Sequence, residues 1–166
     1  MQHSRRLLSL LAVAAVLALA LARAHEARAL DGSPRTTQTR AKHSRLAFGL
    51  RVVDYAKRFR GVRYAYGGTS PRSGFDCSGF VRFVYAHFGI SLAHSSYAQF
   101  ADGRRVGRGS LQPGDLVFFD GLGHVGIYVG GGRFIHAPHT GTRVRVEQLA
   151  GWYSSRFDGA RRLRTA

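Results

Sequence analysis

The hydrophobic period of this chain changes once, near Leu111, and that change limits the folds open to it. Before it, apolar residues recur at helical spacing. Val52, Val53, Ala56 and Phe59 share one face of a helix predicted over residues 48–59, and Gly61 stands just past its end. A second helix is expected to start at Cys77 or Ser78. Phe80, Val81, Phe83, Val84 and Phe88 form its stripe, Asp76 is a favourable N-cap and Gly89 is its stop. Residues 91–100 are ambiguous, with room for a short helix around 96–100. After Leu111 the spacing becomes strand-like. Pro113-Gly114-Asp115 turns the chain into the apolar run 116–119, and residues 124–129 alternate, with Val125, Ile127 and Val129 against His124, Gly126 and Tyr128. Gly130-Gly131-Gly132 turns the chain again, residues 134–137 return, and residues 143–146 alternate once more. Helices first and antiparallel strands after predict an α+β fold, with N-terminal helices packed on a central antiparallel sheet.

The N-terminal quarter reads differently. Residues 1–24 have the form of an export signal: Arg5 and Arg6 lead, residues 7–21 are apolar apart from Ser9, and small residues alternate in Ala20-Leu21-Ala22 and Ala22-Arg23-Ala24, either of which suits cleavage. A membrane-spanning helix wants about 20 apolar residues, more than this run offers before Arg23. Ser4-Arg5-Arg6 leaves the general and twin-arginine export routes both open. No cysteine follows that would take a lipid anchor. Residues 25–45 carry Arg28, Arg35, Arg40, Lys42 and Arg45 among small and polar residues, and are expected to form a basic, flexible linker. Residues 46–166 then make one domain. The formal net charge of +16 points to an anionic neighbour: a nucleic acid, a membrane or an envelope polymer.

The glycine run allows a conditional inference about His124 and His136. If the three glycines form a three-residue loop, Val129 pairs with Arg133 and Gly126 lies opposite His136. His124 and His136 then become diagonal neighbours on one face, about 7–8 Å apart, with Gly126 leaving space between them. A two-residue turn would put them on opposite faces.

The single cysteine, Cys77, stands at the expected helix start. Unpaired N–H groups and the dipole there favour a thiolate, lowering the pKa from ~8.5 into the ~3.5–7.5 range. The same N–H groups can form half of an oxyanion hole. His124 is then the candidate base and His136 the group that orients it. A thiolate paired with His124 would lose activity in acid as the imidazole protonates. A buried structural cysteine is the competing reading. A zinc site from Cys77, His124 and His136 lacks CxxC or HxxxH spacing, and neither metal nor cofactor is expected.

Five ordered segments carry a resemblance. Gly61-Val62-Arg63-Tyr64-Ala65-Tyr66-Gly67-Gly68, Asp76-Cys77-Ser78-Gly79-Phe80-Val81, residues 113–119, residues 124–130 and Phe134-Ile135-His136-Ala137-Pro138 resemble successive motifs of the NlpC/P60 cell-wall peptidases, papain-like cysteine hydrolases. The resemblance implies a nucleophile at Cys77, a base at His124 and an orienting residue at His136. It also implies substrate contacts at Tyr64, Asp76, Ser78 and Ser96. From the residues alone, Asp76 is equally a helix cap and Tyr64 a half-buried aromatic. Leu92-Ala93-His94-Ser95-Ser96 departs from the family, which often has Pro-Arg before the Ser/Thr pair, and His94 puts substrate preference in doubt.

The implied function is an exported peptidoglycan endopeptidase acting on stem peptides or cross-links, at γ-D-glutamyl–diaminopimelate or D-alanyl–diaminopimelate bonds. The expected protein is a monomer of the periplasm or cell envelope, with no nucleic-acid partner and no stable membrane anchor once the signal is cleaved. The competing functions are a non-catalytic wall-binding module and an amidase or acyltransferase on the same fold.

Overall fold

A computed structural model describes residues 34–164, and the expected export signal at residues 1–24 lies outside them. A boundary between residues 42 and 43 divides the chain into two units. Of the first, residues 34–42 are described; they are helical, and exposed from Arg35 onward. They belong to α1, Pro34–Lys57, which begins well ahead of the helix predicted over 48–59.

The linker expectation for residues 25–45 is therefore corrected over its described part: residues 34–45 are helical. Gln38, Arg40, Ala41 and Lys42 are good helix formers. Once the packed turns holding Val52, Val53 and Ala56 exist, each added residue gains a hydrogen bond without a new nucleation cost. Pro34 suits the first helical position, where a missing N–H costs nothing.

The second unit begins with the rest of α1, then the short hairpin β1 (Thr69–Ser70) and β2 (Gly74–Phe75), α2 (Cys77–Ala86) and α3 (Ser96–Ala101). The strands β3 (Arg104–Val106), β4 (Leu116–Phe119), β5 (His124–Gly130), β6 (Arg133–His136), β7 (Arg145–Gln148) and β8 (Phe157–Arg162) follow, with the short α4 (Trp152–Ser155) before the last. They form one antiparallel sheet in the order β3-β8-β4-β5-β6-β7. The predicted strand at 143–146 lies two residues further on, because Arg143 bridges Arg63 instead.

Both faces of the sheet are covered. Leu116, Phe118, Val125, Ile127 and Ile135 pack with Val52, Val53, Phe80, Val81 and Val84 of the helices. Val117, Phe119, Phe134 and Ala160 form a second cluster with Tyr153 and Phe157 against it. Strand alternation thus sends one set of residues toward α1 and α2 and the other toward the α4 segment. Asp115 is buried and accepts from Gln112 N (2.8 Å), Arg162 Nε (2.6 Å) and Arg162 Nη2 (2.6 Å), tying the last strand to the turn before β4.

The glycine turn satisfies the hairpin inference by an unexpected route. Gly130 pairs with Arg133, so the turn itself is the two-residue Gly131-Gly132. Gly130, Gly131 and Gly132 all have positive φ (99°, 59° and 67°), a conformation that side chains with a Cβ resist. A two-residue turn alone would separate the histidines. The ladder slips between Tyr128 and Gly130, however, leaving Val129 as the extra residue of a bulge, and pairing resumes with Tyr128 opposite Phe134 and Ile127 opposite Ile135. Continued by one residue, this register sets Gly126 against His136.

Candidate active site

Cys77 is the first residue of α2. Asp76 precedes it with extended backbone (φ −89°, ψ 177°), and its carboxylate accepts from Gly79 N at 2.6 Å, as an N-cap does. Asp76 does more than cap. It also accepts from Gly67 N at 3.0 Å and Ser78 Oγ at 3.2 Å, and His94 Nε2 lies 2.8 and 3.0 Å from its two oxygens. One carboxylate therefore fixes the start of α2, the loop before β1 and the segment leading to α3.

Gly79 completes the joint. A Cβ there would stand 2.1 Å from Gly68 O and 3.0 Å from both Asp76 Oδ1 and His94 Nε2.

An open cleft of about 340 Å³ lies at Cys77, lined by Tyr64, Tyr66, Asp76, Ser78, His94, Ser96 and Tyr97, with Gly123 adjoining. Tyr64, Asp76, Ser78 and Ser96, the positions at which the resemblance implies substrate contacts, thus border one depression. Burial raises the Tyr64 phenol, and the nearby charges of Cys77 and Asp76 raise it further. Ser78 and Ser96 are themselves largely buried, so each offers the cleft little surface.

On the sheet, His124 opens β5 opposite Phe119. Its Nε2 lies 2.7 Å from His136 Nδ1, a hydrogen bond between the two imidazoles. Gly126 is what allows this approach. A Cβ there would meet Phe134 Cδ2 at 2.6 Å and His136 Cβ at 3.2 Å. The residue after His124, Val125, supplies a backbone group that favours the Cys77 thiolate, which ties the start of β5 to the thiol.

The electrostatics differ from the sequence expectation in one respect. The helix start was expected to lower the Cys77 pKa. Burial instead pushes the thiol up, with Asp76 adding to the rise; backbone groups of Val125, Ser78 and Cys77 itself oppose it and are outweighed. Burial also lowers His124, to about 4, against smaller opposing effects of Asp120 and Glu147. His136 is pushed down as well, first by burial and then by His124. Thiol and imidazoles are consequently all neutral at neutral pH.

Sequence reasoning missed two contributors. Gln99 is buried and donates through Nε2 to Ser78 O (3.0 Å) and Ala93 O (2.7 Å), locking α3 to the first turn of α2. Glu147, on β7, lies behind His136, with Oε2 3.3 Å from Nε2. A signal for Glu147 was present: it is the sole glutamate after Glu26.

A helix with a thiol at its N-terminus, joined to an antiparallel sheet that presents a hydrogen-bonded pair of imidazoles, defines the papain-like α+β class. Within that class the chain belongs to the NlpC/P60 family, whose sequence pattern matches residues 61–162. It is 44% identical over 104 residues to a probable endopeptidase p60 of Listeria innocua, covering 61% of this chain and 22% of that protein. It is 38% identical over 117 residues to the murein DD-endopeptidase MepS/murein LD-carboxypeptidase of Escherichia coli, covering 68% of this chain and 62% of that one. Among solved structures, the NlpC/p60 domain of the peptidoglycan hydrolase SagA superposes with a TM-score of 0.64 at 35% identity, covering 69% of this chain and 98% of that domain. The chain therefore spans less than two thirds of these curated relatives and nearly all of the solved NlpC/p60 domain.

Proposed function

We propose that the protein is an exported cysteine endopeptidase that hydrolyses amide bonds in peptidoglycan stem peptides or cross-links. One observation carries this reading: the 2.7 Å His124–His136 hydrogen bond at the start of β5, the strand whose next residue supplies a backbone group that favours the Cys77 thiolate. The names of the relatives support peptidoglycan as the polymer.

In the proposed reaction His124 takes the Cys77 proton as the sulfur attacks the amide carbonyl. A neutral imidazole acting on a neutral thiol suits general-base activation better than a preformed ion pair. Unpaired N–H groups at the start of α2 stabilise the oxyanion. The His124 imidazolium then protonates the leaving amine, and water hydrolyses the thioester. Tyr64, Asp76, Ser78 and Ser96 shape the cleft that receives the peptide. The enzyme acts as a monomer in the cell envelope and needs no metal or cofactor. Among the described residues no helix is long and apolar enough to cross a membrane.

The test is incubation of the purified protein and its Cys77→Ala variant with sacculi, with released muropeptides identified by mass. Release by the first alone supports the reading, and the product masses name the bond. Equal release by both, or none from either, refutes it.

A further inference from the structure

The hydrogen bond between His124 and His136 can be made in two ways, and only one of them leaves a base for the thiol. If His136 carries its proton on Nδ1, it donates to His124 Nε2. The neutral His124 must then carry its own proton on Nδ1 and has no lone pair left to accept another there. If His136 carries its proton on Nε2, its Nδ1 accepts from His124 Nε2–H, and His124 Nδ1 is left free. The distance of 2.7 Å is the same in both cases. Some group behind His136 must choose.

The His136 ring is fully buried, and its Nε2 makes no hydrogen bond. A buried N–H in that state has lost its water partners without gaining another. Glu147 Oε2 lies 3.3 Å away, within reach though not in line. Glu147 is itself held in place. Its Oε1 accepts from Arg145 Nε at 2.7 Å, and hydrogen bonding to it adds to the burial that raises the Tyr153 phenol. The Tyr153 ring meets His136 edge-on with centroids 5.4 Å apart, closing the same pocket. β6–β7 pairing sets Phe134 opposite Glu147 and His136 opposite Arg145, so the carboxylate reaches Nε2 diagonally along one face.

We propose that Glu147 is a positioning residue that accepts the Nε2–H of His136 and so selects the tautomer in which His124 Nδ1 is free to take the thiol proton. This rests on the thiol-hydrolase reading above and extends its histidine pair by one group. A carboxylate with the same duty behind a metal-bound histidine is worth about 10–100-fold when removed, and a loss of that size in kcat, with KM unchanged, is expected for Glu147→Ala.

The direct readout is imidazole nitrogen NMR of protein labelled in its histidines, recorded in the Cys77→Ala background so that it does not depend on turnover. The expected spectrum has His136 protonated at Nε2. Glu147→Ala should move that proton toward Nδ1. Glu147→Gln, which keeps an acceptor oxygen, should hold both the tautomer and most of kcat. The proposal is overturned if Glu147→Ala leaves the His136 tautomer unchanged, whether or not kcat falls, since a loss of rate without a tautomer change marks a merely structural role. Muropeptide release by Cys77→Ala would remove the thiol reading instead, and the imidazole spectrum would still decide the place of Glu147.

Discussion

At Cys77 two influences oppose each other. The backbone at the start of α2 and at Val125 favours the thiolate, and burial disfavours it more strongly. The same burial holds His124 at about 4, below its ordinary 6.5. Two pH effects follow, of the same sign and at different positions. As the proposed base, His124 would fail only when it protonates in the folded protein, so kcat/KM should persist down to about pH 5 and fall through about pH 4. A pH–rate profile in which the acid limb sits at the ordinary histidine value would contradict this. As a buried neutral group, His124 costs stability earlier. Between pH 6.5 and 4 the unfolded chain binds a proton that the folded chain does not, so stability drops as pH falls across that window. The loss reaches about 3 kcal/mol, measurable by denaturant titration at successive pH values. Asp76 belongs to the same scale. Asp76→Ala should cost about 1–2 kcal/mol for the lost cap alone, read from the urea midpoint, and should also free His94 and Gly67 from their shared carboxylate. The cap at Asp76 and the thiol at the helix start are legible in the sequence because both depend on adjacent residues. The sign of the thiol's shift is not legible, since it depends on what the fold lays over the sulfur.

At the scale of elements, the β5–β6 hairpin shows how a correct register can arise from an incorrect turn. Strand parity allows the histidines to share a face only if the turn and the ladder together contribute the right count. The three-residue loop expected from Gly130-Gly131-Gly132 is replaced by a two-residue turn plus a bulge at Val129, which give the same count. Gly126 is the position on which the pair depends. Gly126→Val would push into Phe134 and His136 and should cost about 1–3 kcal/mol by overpacking. It should also abolish muropeptide release while the circular dichroism stays folded. Retained activity would show that the 2.7 Å contact is not needed. The element that sequence reading missed most fully is β8. Phe157-Asp158-Gly159-Ala160-Arg161-Arg162 has little alternation to read. Its strand identity comes from insertion between β3 and β4 and from the Arg162–Asp115 pair, contacts that lie far apart in the chain.

At the scale of the molecule, four arginines among the described residues gather at one hollow. Arg104 and Arg162 stand directly opposite on β3 and β8, and with Arg45 and Arg164 they line one open hollow of about 410 Å³. Like charges placed opposite each other on a ladder are destabilising, and Arg162 alone of the four pairs with a carboxylate among the described residues. A surface of this kind suits retention on an anionic polymer through screened, long-range attraction. Arg104→Glu should weaken cosedimentation with sacculi at low salt while leaving cleavage of a soluble muropeptide unchanged. The difference between the two proteins should vanish at about 1 M salt, where the Debye length is about 3 Å. Equal sedimentation at low salt would count against the hollow as the point of attachment.

Neighbouring residues encode the change from helical to strand period at Leu111, the capped helix start at Cys77, the glycines that a left-handed turn requires, and the ordered motifs of the family. Backbone conformation and periodicity are local, so they can be read without the fold. Packing is what produces the helix running back to Pro34, the bulge at Val129, the burial that leaves Cys77 and His124 neutral, and the placing of Glu147 behind His136. The helix extension needs the packed turns that nucleate it, and the others depend on desolvation or on pairing between segments; none of these conditions exists until the sheet and helices have packed.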